Sequence, residues 1–223
     1  MSTSVIVPAA GSGTRLGENR PKAFVDLSGA TILSRTLAAV QSSDVGLDRI
    51  VVVVPEELIE QTRAELTGSR CAVDVVAGGA ERSDSVRAGL ARATGEFVLV
   101  HDAARPFTPA AVFERVVEAL RAGHQAVVPG LPVVDTLKRV DDEEQVLETV
   151  DRSVLRAIQT PQGFHADALA RAYADAGDVA TDDAGLAERA GIAVHVVAGD
   201  PDAFKITTPW DLRLARAIAK GWD

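Results

Sequence analysis

Arg15 and Lys22 stand beside a glycine-rich turn, and no other pair in this 223-residue chain points so directly to chemistry. They follow the run Ser4-Val5-Ile6-Val7-Pro8-Ala9-Ala10-Gly11-Ser12-Gly13-Thr14-Arg15-Leu16-Gly17. Glycines at 11 and 13 permit backbone angles and close approach that a β-carbon would forbid, so successive N–H groups can converge on an anion. Two cations beside such a loop suit the binding of phosphate. A second constellation, His101-Asp102-Ala103-Ala104-Arg105-Pro106, follows the apolar run Phe97 to Val100. A carboxylate there can hold Mg²⁺ against phosphate oxygens, or it can pair with Arg105 and steady the loop. His101 reads as structural, because attack by an already ionised phosphate needs no general base. A third stretch, Gly78-Gly79-Ala80-Glu81-Arg82-Ser83-Asp84-Ser85, brings backbone close to a flat ligand edge, and Ser85 offers a donor and an acceptor suited to a pyrimidine. Ser83 or Asp84 could equally cap the helix that follows.

Spacing separates three kinds of phosphate loop. The dinucleotide fingerprint needs a third glycine at position 16, where Leu16 stands, and a ribose-binding acid roughly 20 residues on. Here the second strand is instead followed by Pro55-Glu56, about 40 residues past the loop. A Walker loop needs Gly-Lys-Ser/Thr, which is absent. The remaining pattern, A-A-G-x-G-x-R-x-G followed by P-K, resembles the signature of nucleotidyltransferases that activate sugars and alcohols with a nucleoside triphosphate. A non-catalytic nucleotide sensor on the same scaffold would have no reason to keep Lys22, Asp102 and Lys205 together.

Those loops need a scaffold, and apolar patterning supplies it. Ser4 to Val7 reads as a strand buried on both faces and Ile50 to Val54 as a second buried strand, with Ala72 to Ala77, Phe97 to Val100 and Ala126 to Pro129 as three more strands. Helical spacing over Thr31 to Val40, Glu56 to Leu66, Val86 to Ala93 and Pro109 to Ala122 separates them. This alternation predicts an α/β fold with a mostly parallel sheet and right-handed crossovers, with ligands at the carboxyl ends of the strands. From Asp135 to Arg152 the composition turns charged, and Thr136 to Val140 and Val146 to Val150 flank the acidic turn Asp141-Asp142-Glu143-Glu144 as a β-hairpin. A lone hairpin is marginal and must lean on something, such as a second copy. Ala157 to Phe164 then returns to the sheet, helices cover His165 to Tyr173 and Ala184 to Ala190, and Thr181-Asp182-Asp183 caps the latter. Ala193 to Val197 is the last strand, with Phe204 to Thr207 behind it and a closing helix from Pro209 to Lys220.

Composition limits the partners. A net charge of −9 argues against a general nucleic-acid or anionic-membrane surface. No apolar run approaches the roughly 20 residues that span a bilayer. Cys71 is the single cysteine, in a sequence that reads as a buried small apolar position. Together with an N-terminus lacking a signal-like segment, it predicts a soluble protein of the reducing cytoplasm.

The motifs A-A-G-S-G-T-R-L-G, P-K, G-G-A-E-R-S-D-S-V, H-D-A-A-R-P, D-T-L-K, V-D-R, Q-T-P-Q, T-D-D and F-K-I-T, taken in order, resemble the 2-C-methyl-D-erythritol 4-phosphate cytidylyltransferase family. The resemblance runs nearly end to end. It implies one domain over 1–223 with a Rossmann-like sheet, helices on both faces and a protruding β-arm, of the nucleotide-diphospho-sugar transferase kind. It also implies Mg²⁺ dependence and a homodimer joined through the hairpin over 135–152. CTP and a methylerythritol phosphate acceptor are the implied substrates. Arg15, Lys22, Asp102 and Lys205 are the implied catalytic residues, with Asp102 as metal ligand, while Ala10, Gly11, Gly13, Gly79 and Ser85 would bind the nucleotide. Asp102, Arg105, Thr160, Thr181 and Lys205 would line the acceptor pocket, and Thr136 and Arg152 would reach in from the partner's arm. Ala80 stands where some relatives carry a polar residue.

Overall fold

Neighbouring residues of the buried strands are divided between two apolar layers. The computed structural model describes residues 1–11, 16–18, 20–66, 69, 71–174 and 182–221. In β1 (Thr3–Pro8), Val5 and Val7 face one layer and Ile6 the other. In β2 (Leu47–Val54), Ile50, Val52 and Val54 oppose Val51 and Val53, and in β4 (Phe97–Val100), Phe97 and Leu99 oppose Val98 and Val100. Period-2 side-chain alternation makes any strand with no polar break a two-sided element, so helices must cover both faces. The first layer is closed by α1 (Ile32–Ser42) and α4 (Ala110–Arg121), the second by α3 (Arg82–Leu90), α5 (Ala166–Ala174) and α6 (Asp183–Arg189). A smaller cluster packs Leu212 and Ala215 of α7 (Pro209–Ala219) on Leu16, Val25, Leu27 and Ile206.

Strand β3 (Ala72–Ala77) lies at one edge and β10 (Val194–Ala198) at the other, in the order β10-β5-β9-β4-β1-β2-β3, where β5 is Ala126–Pro132 and β9 is Gln162–His165. Every pairing along that path is parallel except those of β9, which runs antiparallel between β4 and β5. The short strand β8 (Arg156–Ile158) is also antiparallel, on β5. The expected return of 157–164 to the sheet is thus made by two reversed strands. Chain order reverses at β1, since β2 and β3 lie on one side of it and β4 on the other, which opens a crevice at the carboxyl ends of β1 and β4.

Several boundaries differ from the sequence-based expectation. Helix α3 begins at Arg82, not Val86, and its cap is Glu81 rather than Ser83 or Asp84. Asp84 closes the capping box from inside by accepting from the Glu81 amide. The helix expected from Glu56 starts as a 3₁₀ turn, Glu56–Leu58, before α2 (Ile59–Glu65). At the start of β3, Cys71 is half-buried against the edge of the core rather than fully enclosed, and burial raises its thiol pKa.

The expected hairpin is present as β6 (Leu137–Val140) and β7 (Val146–Val150), a two-stranded sheet of its own. Within it Val146 and Leu147 are 59% and 60% exposed. Among the described residues no helix is long and apolar enough to cross a membrane.

Candidate active site

The crevice between β1 and β4 is a cleft of about 300 Å³, floored by Pro8 to Gly11 and walled by Lys22, Gly79 to Arg82, Ser85, Asp102 to Ala104 and Lys205. Each wall is fixed by ordinary packing. Lys22 opens a 3₁₀ turn whose next residues, Ala23 and Phe24, are buried, so its backbone is held by the core while its side chain faces the cleft. Gly78 meets the segment after β1 closely: a Cβ there would stand 2.4 Å from the Ala10 Cβ and 2.8 Å from Ser85 Oγ. A side chain at 79 would strike the Asp84 Cβ at 2.3 Å, so both glycines are required by close approach. Ser85 itself is buried and donates to the Glu81 carbonyl at 3.3 Å.

Asp102 sits where β4 ends, and three cations surround its carboxylate. Lys205 Nζ lies 2.8 Å from Oδ2, Arg82 Nη2 3.4 Å from Oδ1, and Arg105 Nε 3.7 Å from Oδ2. Burial alone would raise the Asp102 pKa, but Arg82, Lys205 and Arg105 outweigh it and hold the group far below the usual carboxylate range. Its amide donates to Thr160 Oγ1 at 3.0 Å, and that hydroxyl pairs with His101 Nδ1 at 3.0 Å. Thr160 Oγ1 accepts from the Asp102 amide, and one hydrogen joins it to the imidazole, supplied by the hydroxyl or by the ring according to the tautomer. Burial pushes His101 down to about 4, so the ring is neutral at physiological pH, and its Nε2 has no hydrogen-bond partner among the described residues. His101 is therefore a buried support, as expected. The carbonyl of the next residue, Ala103, accepts from Thr36 Oγ1 at 2.7 Å, and the Ala104 carbonyl accepts from the Ile206 amide at 2.9 Å. That last bond brings the extended segment Phe204 to Thr207 alongside the loop and sets Lys205 over Asp102.

Of the residues expected in the site, Ala10, Gly11, Lys22, Gly79, Ser85, Asp102 and Lys205 line one cleft. Arg15, Gly13 and Thr181 lie outside the described residues. Arg105 and Thr160 sit behind Asp102 rather than on the wall, both buried. Arg105 donates to the Ala203 carbonyl at 2.6 Å, and Thr160 is committed as described above. Thr136 and Arg152 are exposed on and beside the hairpin, where Arg152 donates to the Val134 carbonyl, and neither belongs to this chain's own cleft.

Sequence reasoning missed Arg82, which lines the cleft and ion-pairs with both Asp102 and Asp183. It also missed Gln159, whose side chain clamps Asp200 by accepting from its amide at 3.0 Å and donating to its carbonyl at 2.8 Å. The Glu-Arg dipeptide in the glycine-rich stretch was the available signal for Arg82, masked by its resemblance to a helix start.

A mostly parallel sheet whose chain order reverses at a cation-lined cleft is a setting in which α/β folds bind phosphate-bearing ligands. Residues 3–221 match the family model described as IspD: 2-C-methyl-D-erythritol 4-phosphate cytidylyltransferase, and the chain belongs to that family. Curated proteins of that name are similar along nearly their whole length. The one from Rhodococcus jostii (strain RHA1) is 60% identical over 96% of this chain and 94% of its own, and that from Nocardia farcinica (strain IFM 10152) is 57% identical over 97% and 94%. A crystal structure of the enzyme from Thermus thermophilus superposes with a TM-score of 0.81 at 39% identity, covering 99% of this chain and 100% of that one. A 4-diphosphocytidyl-2C-methyl-D-erythritol synthase from Anaerococcus prevotii DSM 20548 gives 0.87 at 30% identity, covering 98% and 96%.

Proposed function

We propose that this chain joins CTP to 2-C-methyl-D-erythritol 4-phosphate, giving 4-diphosphocytidyl-2-C-methyl-D-erythritol and pyrophosphate. The observation that carries the reading is that Lys22, Arg82 and Lys205 line one cleft with Asp102, the last two contacting its carboxylate, in a chain that matches the family over residues 3–221. An oxygen of the acceptor's phosphate attacks the α-phosphorus of CTP in line. The new P–O bond forms as the bond to the β-phosphate oxygen breaks, and pyrophosphate leaves with that electron pair. Charge grows on the α-phosphoryl oxygens and on the leaving group, so fixed cations are the main catalytic device. Lys22 and Arg15 serve the triphosphate, Lys205 the acceptor and α-phosphate, and the backbone at Ala10, Gly11, Gly13 and Gly79 with Ser85 holds the nucleotide. Ala80 leaves the reading of the base to backbone atoms.

Mg²⁺ suits this donor set. Among the described residues no group of three or more His, Cys, Asp or Glu could cage a metal. Mg²⁺ commonly takes one or two carboxylates and completes its shell with waters and substrate phosphates. Asp102 is such a carboxylate, and among the described residues its Oδ1 has only a long 3.4 Å contact, with Arg82. When bound there, the ion would neutralise phosphate charge.

We further assign the hairpin over 135–152 as the arm of a homodimer, bringing Thr136 and Arg152 to the partner's acceptor site beside Arg105, Thr160 and Thr181. Exposed Val140, Val146 and Leu147 on a sheet of only two strands support this. The enzyme is assigned to the cytoplasm. A pyrophosphate-release assay crossing four nucleoside triphosphates with methylerythritol phosphate and related polyol phosphates tests the whole reading. Strong preference for the CTP and methylerythritol phosphate pair is expected, and turnover confined to another pair overturns it.

A further inference from the structure

Asp183 is fully buried, and the capping of its helix does not need it. Asp182 caps α6 by accepting from the Gly185 amide at 2.9 Å, and Gln162 ties the same turn to β9 through the Ala184 amide and the Asp182 carboxylate. The Asp183 charge instead faces sideways into a chain of contacts. Its Oδ1 accepts from the Tyr173 hydroxyl at 2.5 Å and its Oδ2 from Arg82 Nη2 at 2.7 Å. The same Nη2 is 3.4 Å from Asp102 Oδ1. A single guanidinium is therefore shared between a buried carboxylate and the carboxylate of the active site, and the buried one holds it closer.

Left to itself, an arginine beside a carboxylate closes to a two-pronged pair at about 2.7–2.9 Å. Such a pair would occupy Oδ1, the Asp102 oxygen that Lys205 and Arg105 do not approach. Asp183 offers that guanidinium a nearer, buried counter-charge, with Tyr173 fixing the orientation of the carboxylate from its other oxygen. Tyr173 is in turn gripped by Arg87, whose guanidinium lies 5.6 Å from the ring centroid and donates to the Tyr173 carbonyl.

We propose that Asp183, oriented by Tyr173, is a positioning residue that restrains Arg82 from closing on Asp102, keeping that carboxylate open to the incoming substrates. The inference rests on the cytidylyltransferase reading for its kinetic consequence but not for its structural one.

Asp183→Asn keeps the shape and removes the charge. It should lower kcat/KM for the methylerythritol phosphate acceptor by roughly 10- to 100-fold, as expected when a reacting constellation is displaced, while KM for CTP stays within about twofold. Tyr173→Phe should shift the same parameter in the same direction by less. Arg82→Gln combined with Asp183→Asn should be no worse than the poorer single variant, since both act through one guanidinium. Independently of turnover, a crystal structure of Asp183→Asn should show the Arg82–Asp102 contact contracted to about 2.8 Å. Simple additivity, or an unchanged contact, overturns the proposal. So does wild-type kinetics in Asp183→Asn, or in Tyr173→Phe should the first variant fail to fold. Absence of turnover in the unsubstituted enzyme would refute the cytidylyltransferase reading alone, and the crystallographic contact would still decide this one.

Discussion

The Lys205 ammonium meets the Asp102 carboxylate at 2.8 Å, the lysine side chain 43% exposed and the aspartate 11%. A pair with one partner so open to water contributes little to stability. Its geometry matters more, because a flexible, strongly hydrated lysine can transfer its contact to a phosphate as substrate arrives.

Lys205→Ala should therefore fold with a nearly unchanged melting temperature and lose roughly 10²-fold or more in kcat, the scale of removing one charge-stabilising donor. Asp102→Asn should also fold, and it should need much more Mg²⁺ for half-maximal rate, because a neutral amide is a poor ligand for a hard cation. Steady-state rates over a Mg²⁺ titration, beside thermal melts, check both. A large loss of melting temperature with intact turnover would make the pair structural.

A glycine that packing does not demand points to a ligand. Among the described residues a Cβ at Gly11 would meet nothing within 4 Å, although the residue lines the cleft. Gly11→Ala should leave the thermal melt unchanged and weaken CTP binding by about tenfold or more, a scale set by the close backbone approach to phosphate that glycines permit. Isothermal titration with CTP measures this, and wild-type affinity would remove Gly11 from the nucleotide site.

How much of this was legible depended on whether the cause was local. β4 was read to the residue because Phe97 to Val100 is apolar on both faces, and Asp102 could be placed at its end without any coordinates. Periodicity gives burial but not direction, so the reversal of β9 between β4 and β5 could not be read. Arg82 and Asp183 were invisible for a different reason. Each lies in a stretch that reads as a helix start, and only the packing of α3 beside α6 joins them at 2.7 Å. The commitment of Thr160 to the Asp102 amide and His101 was not legible either, because it depends on β9 pairing with β4.

The cap of α7 titrates. Thr208 and Asp211 form a capping box, and Asp211 accepts from the amides of Thr207 and Thr208 at 2.8 and 2.7 Å. Burial would raise the Asp211 pKa, but these amides, the Thr208 hydroxyl and the charge of Lys22 together lower it. A carboxyl whose folded-state pKa lies below its unfolded value of about 3.9 stabilises the fold fully above that value, and the contribution is lost as pH falls through the folded pKa. Asp211→Asn should thus be less stable than wild type at pH 7, by roughly the 0.5–2 kcal/mol of a helix cap, with the gap narrowing below about pH 4. Urea melts at pH 7 and pH 3 measure it, and a gap that does not narrow on acidification would remove the charge from the explanation.

The hairpin's assignment as a shared arm makes the strongest demand on function. Its exposed Val146 and Leu147 need cover, and Arg152 lies outside its own chain's cleft while Lys22 lines it. If Arg152 completes the neighbour's acceptor site, then Arg152→Ala and Lys22→Ala homodimers should each lose most activity. In a heterodimer of the two, the site on the Arg152→Ala chain takes its own intact Lys22 together with the intact Arg152 of the Lys22→Ala chain. One of the two sites is then whole, and the other lacks both residues. Heterodimers purified through two different tags should recover activity well above either parent, up to half that of the wild-type dimer. Light scattering on the wild type should give the mass of a dimer. Verified heterodimers no more active than their parents would return Arg152 to its own chain and leave the hairpin a structural element only.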